Sequence, residues 1–307
     1  MWSHWEQVGA KVIEALVSPF PPLATARELL SSRGHFGFLA SLAMPLNRLV
    51  KQFRGPSFPM LLAGNAAHSD MSNRLPGSGL MAIVLTMLGH QKGFVVPQGG
   101  AQQLSEALAT RLRTRNGETR TRAEVVKIRT AGGRVTGVLL ANGESINADA
   151  VVACVSAPAL YLDLLDDDVV PNRIRRAMTR FAWDPGTFRV DWALYAPVPW
   201  KNMPKAAPGT VHLADSRQQM SSNLELIRAG VVPQTPFMVA GQMTTTDPSR
   251  SPDGTEAVGA YTRIPQSFRS DEAGQLRGTW DDSDLNRFAD RMQAQFERHA
   301  PGFGDRV

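Results

Sequence analysis

The sequence predicts an α+β protein, and three observations carry that prediction. Apolar residues recur at a spacing of four through much of the first ninety residues, as in "WEQVGAKVIEALV" with Val8, Val12 and Leu16, the stripe of a packed helix. Further on, the runs "EVVKIRT", "RVTGVLL" and "ESINADAVVACV" are separated by Gly132-Gly133 and Asn142-Gly143, the punctuation of β-hairpins. The last thirty residues return to helical spacing. Composition agrees: of 307 residues, 43% are hydrophobic and 20% charged, ordinary for a globular chain and long enough for a large core and two domains.

Each element follows from its local residues. The first helix ends at "SPFPPL", since proline cannot continue a helix. "ATARELLSS" and "FLASLAMPLNRLVKQF" resume, the second kinked or divided by Pro45. "GSGLMAIVLTMLGH" carries Leu80, Val84 and Leu88, with apolar residues between them; a helix apolar all round is buried or lines an apolar cavity. Phe94–Val96 reads as a short strand. Gly99 and Gly100 then open a helix with Leu104, Leu108 and Leu112 on one face, closed by Asn116-Gly117, residues that tolerate positive φ. After the meander, Ala150–Val155 is apolar without alternation, as in a strand buried on both faces of a parallel sheet. "NRIRRAMTRFAW" is helical. In "TFRVDWALYAP", Phe188, Val190, Trp192 and Leu194 alternate with Arg189, Asp191 and Ala193, a half-buried strand. "PFMVAGQM" and "EAVGAYTR" are two more strands, joined by the turn chemistry of "TTTDPSRSPDGTE". In the last helix Asp282 or Ser283 is the cap, and Leu285, Phe288, Met292 and Phe296 form the apolar face.

Composition also excludes. The net charge of +5 and pI near 9.7 are mildly basic, but the basic residues are dispersed and no nucleic-acid motif accompanies them, so nucleic acid is not an expected partner. One cysteine, Cys154, rules out an internal disulfide and a Cys-rich zinc site, and its apolar neighbours suggest a small buried hydrophobe. The six histidines show no HExxH spacing, so no metal is expected, and G-x-S-x-G is absent. No apolar run approaches the ~20 residues of a membrane span, and the N-terminus lacks the basic and apolar regions of a signal peptide. A cytoplasmic location is expected.

The order of "LLAGNAAHSD", "PGSGLMAIVLTMLGHQKGFVVPQGGAQQLSEAL", "AEVVKI", "GRVTGVLLANGE", "ADAVVACVSAPAL", "TDPSRSPDG" and "FERHAPGF" resembles the middle portion of phytoene-dehydrogenase-related flavoproteins, in the superfamily of FAD-dependent amine oxidases and carotenoid desaturases. The resemblance covers essentially the whole chain. It implies part of an FAD/NAD(P)-binding, Rossmann-like domain joined to a mixed sheet-and-helix substrate domain. The expected division is 1–92 and 161–280 for the substrate part, 93–160 for the cofactor part, and 281–307 for a C-terminal helix. Two motifs of that family are missing, the opening GxGxxG and a second glycine-rich flavin motif. The resemblance therefore implies a fragment, or one chain of a split protein, that holds FAD weakly or not at all.

By this resemblance the protein is an FAD-dependent oxidoreductase that removes hydride from an apolar or amine-type substrate. The alternative is a non-catalytic lipid- or partner-binding module derived from that family. Val125 occupies the position whose backbone meets the adenine of FAD. Ser156, Ala157 and Pro158 form the turn that the family sets beside the flavin, or simply end a strand. Gly99 and Gly100 either approach a ligand or permit a tight strand-to-helix turn. His68 and Asp70 lie close together in sequence; His68 is a candidate base, or Asp70 caps the next turn. The stretch 173–183 combines Arg173, Arg175, Arg176 and Arg180 with Ile174, Met178, Phe181 and Trp183, and either contacts a membrane surface or is a solvated basic helix. Because Ala150–Val155 wants cover on both faces, self-association or a complementing chain is expected.

Overall fold

A computed structural model describes residues 1–19, 21–31 and 34–307; Phe20 and Ser32, within two of the stretches quoted above, lie outside the described residues. The chain divides into two compact units, residues 1–104 with 184–307, and residues 105–183. The expected cofactor part overlaps the second of these without coinciding with it.

The first unit begins with helices α1 (Trp2–Val17), α2 (Leu23–Ser31), α3 (Phe36–Ala43), α4 (Leu46–Leu49), α5 (Ser57–Ala66) and α6 (Ser78–Lys92). Pro45 separates α3 from α4, so the proline divides the segment rather than kinking it. Trp5, Val8 and Val12 of α1, Leu46 and Leu49 of α4, Leu62 of α5 and Ile83 of α6 share one buried cluster. Helix α6 is buried on most sides, as its composition requires.

The rest of this unit is built on a four-stranded antiparallel sheet of order β4-β8-β7-β5: β4 (Gly186–Leu194), β8 (Glu256–Ile264), β7 (Met238–Gln242) and β5 (Thr210–Leu213). Helix α9 (Arg217–Arg228) follows β5, and the short helix α10 (Met243–Thr246) follows β7. Strands β6 (Val231–Val232) and β9 (Ser270–Asp271) form a separate parallel pair. The terminal helix α11 (Asp282–His299) buries Phe288, Met292 and Phe296 in one cluster with Trp192, Leu194, Val258 and Ala260 of the sheet. Its cap is Asp281, one residue before the expected position; the Asp281 carboxylate accepts from the backbone N–H groups of Ser283 and Asp284.

In the second unit, helix α7 (Gln102–Arg113), which starts at its border, is followed by β1 (Val125–Ala131), β2 (Arg134–Leu140) and β3 (Ser145–Asn147), the expected antiparallel meander. Asn116 closes α7 at φ 58°. A π-helical turn spans Ala159–Leu164, and α8 covers Asn172–Met178. Arg120 grips Glu144 with two hydrogen bonds of 3.0 Å, and Lys127 pairs with Asp166 at 2.7 Å.

Four expectations need correction. Phe94–Val96 is not a strand: the segment has no ladder partner and all three side chains are exposed, Val95 by 88%. Ala150–Val155 is not a strand either, and it is not buried; Val152 is 94% exposed. An apolar segment becomes a strand only when another strand takes its backbone hydrogen bonds, and among the described residues none does. Cys154 in that segment is consequently exposed, not buried. Finally, α8 stops at Met178, short of Phe181 and Trp183: the Arg180 and Phe181 N–H groups bond three residues back, to the Ala177 and Met178 carbonyls, in turns that close the helix.

Candidate active site

The two faces of the four-stranded sheet differ in chemistry. On β8, Val258 and Ala260 point into the core beneath α11, and Tyr261 and Arg263, of the other parity, point to the opposite face. The register extends that face across the sheet: His212 of β5 stands opposite Val239 of β7, Val239 opposite Tyr261, and Tyr261 opposite Arg189 of β4. Gly259 leaves room on this face for the Arg189–Asp191 pair; a methyl group there would lie 2.5 Å from the Asp191 carboxylate and 2.8 Å from Arg189.

His68 reaches this polar face from the 3-10 turn Ala67–Ser69 that continues α5. Its Nε2 lies 2.9 Å from Nε2 of His212, and its Nδ1 lies 3.2 Å from the Tyr261 hydroxyl. Asp70 follows at φ 51°, a left-handed conformation that aspartate tolerates. Arg263 holds the Asp70 carboxylate in a fork, Nε to Oδ1 at 3.1 Å and Nη2 to Oδ2 at 2.9 Å, and also donates to Thr187 Oγ1 at 2.5 Å. Arg228 donates to the Asp70 carbonyl at 2.7 Å. The expected pair, His68 and Asp70, is thus fixed by residues from one helix and two strands, with Thr187 of a third strand bracing Arg263. Asp70 does not cap a helix; it pairs with Arg263.

Electrostatics makes the cluster neutral at its centre. Burial, reinforced by the neighbouring His68, lowers the pKa of His212 from its ordinary 6.5 to about 4. Burial and the Arg263 charge lower His68 too, against a smaller upward pull from Asp70. Burial raises Tyr261, and raises Asp70 despite the opposing charge and hydrogen bond of Arg263. At neutral pH both imidazoles are therefore uncharged and the phenol keeps its proton. Such a chain of neutral groups, with His68 exposed at its centre, can donate or accept a hydrogen bond, or pass a proton. Beside it lies a crevice lined by Met71, Met220, Leu224, Ile227 and Phe237, with Asp70 and Arg263 at its polar edge.

The other sequence candidates lie elsewhere. Gly99 and Gly100 adopt φ of +77° and +97°. The Gly99 N–H donates to the Asp247 carboxylate at 2.6 Å, and the Arg250 guanidinium lies where a side chain on Gly100 would be. Val125 begins β1 opposite Leu140. Ser156, Ala157 and Pro158 start the π-helical turn, where Ser156 Oγ accepts from the Ala159 N–H at 3.3 Å and the Ser156 carbonyl from the Leu160 N–H at 3.0 Å. The structure therefore gathers Val125 and the 156–158 turn in the second unit, and His68 and the two glycines in the first. Among the described residues no group of three or more His, Cys, Asp or Glu side chains is placed to hold a metal ion, and no helix is long and apolar enough to cross a membrane.

The family model described as flavin-containing amine oxidoreductase matches residues 14–262. The chain belongs to this family. The mouse pyridine nucleotide-disulfide oxidoreductase domain-containing protein 2 is 24% identical over an alignment covering 94% of this chain and 52% of that protein. The lycopene-forming phytoene desaturase of a Paracoccus species is 24% identical, over 68% of this chain and 39% of the desaturase. The chain spans about half the length of the mouse relative, and less of the desaturase. In fold it is similar to an oxidoreductase from Methanosarcina mazei, with a TM-score of 0.58 at 14% identity over 94% of this chain and 59% of that one.

Family membership implies a flavin, and the residues present can be tested against a dinucleotide such as FAD. A pyrophosphate is held by free N–H groups at a glycine turn and helix N-terminus beside a parallel sheet. Here the Gly99 N–H is already taken by a carboxylate, which would repel a phosphate, and the one parallel pairing among the described residues is the two-residue contact of β6 with β9. These residues do not by themselves fit the cofactor.

Proposed function

We propose that the chain serves an FAD-dependent oxidoreductase that removes hydride from an apolar or amine-type substrate. It supplies the substrate-binding part from residues 1–104 and 184–307, and a Rossmann-like portion of the cofactor part from residues 105–183. The observation that carries this reading is the family match across 14–262, which runs through both units and includes the polar sheet face with His68, His212 and Tyr261. The crevice beside Asp70, about 40 Å³ with a mainly apolar lining, has room for a small apolar group and not for a whole substrate. In this reading Val125 and the 156–158 turn lie toward the adenine and flavin sides of the cofactor, and the exposed Phe181 and Trp183, with the arginines of α8, meet a membrane surface.

A second reading, a lipid- or partner-binding module without catalysis, is favoured by the Gly99–Asp247 contact and by the uncovered segments 94–96 and 150–155. Flavin binding separates the two. Purified chain is expected to be colourless and to release no stoichiometric nucleotide on denaturation, yet to quench added FAD fluorescence weakly and saturably. Val125→Pro, which removes an N–H at the proposed adenine side, is expected to abolish the quenching. No saturable quenching at any soluble FAD concentration would remove the proposed adenine-side contact of Val125 and favour the binding-module reading. Tightly held, stoichiometric FAD would overturn the conclusion that these residues do not fit the cofactor.

A further inference from the structure

Two cavities in the first unit lie between α5 and α9, and they share a wall. The outer one, about 200 Å³, is walled by the buried Leu46, Val50 and Ala63 and opens among the exposed Asn47, Arg217 and Gln218. The inner one is the crevice of about 40 Å³ beside Asp70, lined by Met71, Met220, Leu224, Ile227 and Phe237. Helix geometry sets them end to end. Ala63 lines the outer cavity, and Ala67, one turn further on, lines the inner. Along α9, Arg217 and Gln218 line the outer cavity, and Leu224 and Ile227, further along the same helix, line the inner. Asn73 and Ser221 line both, and their side chains bond to each other at 2.8 Å. The loop that carries Asn73 is tied down on both sides of this bond, by Arg228 on the Asp70 carbonyl at 2.7 Å and by Arg74 on Glu225 at 3.4 Å.

The arginines at the two ends differ. Arg263, at the inner end, is committed to Asp70 and Thr187. Arg217, at the mouth, makes no ion pair or side-chain hydrogen bond among the described residues, and no Asp or Glu among them lines the outer cavity. We infer that this cleft binds a medium-chain carboxylate, with its carboxylate at Arg217, its chain in the outer cavity and its terminal methyl group in the inner one. Size sets the chain length. An apolar cavity of about 150 Å³ holds a benzene molecule, so the outer cavity takes about six carbons and the inner one a methyl or ethyl end. Charge sets the direction. A carboxylate at the inner end would lie among apolar side chains beside Asp70, with no uncommitted cation to meet it, and burying an unpaired charge is costly. The Asn73–Ser221 bond parts to admit the tail, so only a chain that outruns the outer cavity reaches Met71 and Met220. No step of flavin chemistry is involved, so this site and the oxidoreductase reading fail separately.

Methyl NMR of the full 307-residue chain, labelled with carbon-13 at the methionine methyl groups, locates the tail. Met71 and Met220 line the inner cavity, and Met238 and Met292, in the core beneath the sheet, are the controls. Single Met→Leu variants assign the signals. Octanoate is expected to shift Met71 and Met220 saturably and to leave Met238 and Met292 in place. Butanoate, shorter than the helical turn of about 5.4 Å that separates the cavities, is expected to move none of them. Arg217→Gln is expected to weaken octanoate binding about threefold, the size of an exposed ion pair, and to leave octanol binding unchanged. The absence of a saturable shift at Met71 and Met220, an equal shift from butanoate, joint movement of the two controls, or an octanoate affinity indifferent to Arg217→Gln would overturn the inference. Arg217 is exposed, and the chain-length comparison uses the wild-type cleft, so misfolding of a core variant does not confuse the result.

Discussion

His212 links the polar cluster to stability through its proton. Its folded pKa is depressed, from 6.5 to about 4, so its neutral form stabilises the fold fully above pH 6.5, and that contribution is lost as pH falls toward 4. With partial solvent access, the loss is about 2 kcal/mol. Asp70 has the opposite sign: its raised pKa makes its contribution grow as pH falls. The clean measurement is therefore the difference between the wild-type chain and His212→Gln in urea unfolding at pH 7 and pH 4.5. The variant is expected to lose less stability over that interval, and an equal loss in both would remove His212 as the source. In sequence, His68 and Asp70 were legible because they are two residues apart. His212 and Tyr261 were not, because they arrive from strands more than a hundred residues away. The available signal was the alternation in "GAYTR", which puts Tyr261 and Arg263 on one strand face, away from the core. Gly64 of α5 left no signal either, although a methyl group there would collide with the His212 ring.

Helix α11 shows why an element's pattern and its anchor are legible to different degrees. Phe288, Met292 and Phe296 at spacing four identify its buried face directly. Its anchor is Arg291, which forks onto Asp271 of β9 at 2.7 and 2.8 Å and also donates to the Pro233 carbonyl at 3.0 Å. Both side chains are nearly inaccessible, at 7% and 1%. Burial pushes Asp271 up, but Arg291 and the N–H groups of Gln275 and Leu276 outweigh it and hold the carboxyl below the usual range. Removing one partner of such a pair strands the other. Arg291→Ala is expected to destabilise the chain by about 3–5 kcal/mol, and Arg291→Lys, which keeps the charge but loses the fork, by about 2 kcal/mol. Chemical denaturation distinguishes them, and equal values for the two would show that the fork geometry, not the charge, carries the whole effect. The two-residue strand β9 gave no pattern to read. The expected strands at 94–96 and 150–155 failed for the converse reason: their residues have the right propensity, but a strand is a property of a pair.

On the scale of the whole chain, the uncovered surface of the second unit determines the expected solution behaviour. Val152 and Val155 are exposed by 94% and 51%, and Leu108 and Leu112 of α7 by 60% and 43%. Full burial of one such side chain stabilises by about 1.5–3 kcal/mol, whereas association costs about 4–15 kcal/mol in lost freedom before any contact counts. The two valines supply about 3–6 kcal/mol, at the lower edge of that cost, and pairing of the free backbone groups of 150–155 adds to it. The expected outcome is weak, concentration-dependent self-association, or dependence on a partner that covers the same segment. Sedimentation equilibrium should show an average mass that rises with concentration, and Val152→Lys should flatten the rise, because a lysine there blocks edge pairing. Hydrogen exchange at Val151–Cys154 supplies the second readout. Fast exchange in a dilute monomer, slowing on association or on adding a partner, is the expected behaviour. A chain that stays strictly monomeric while Val151–Cys154 exchange slowly would mean that the segment is covered internally, and the proposed need for an external cover would be wrong.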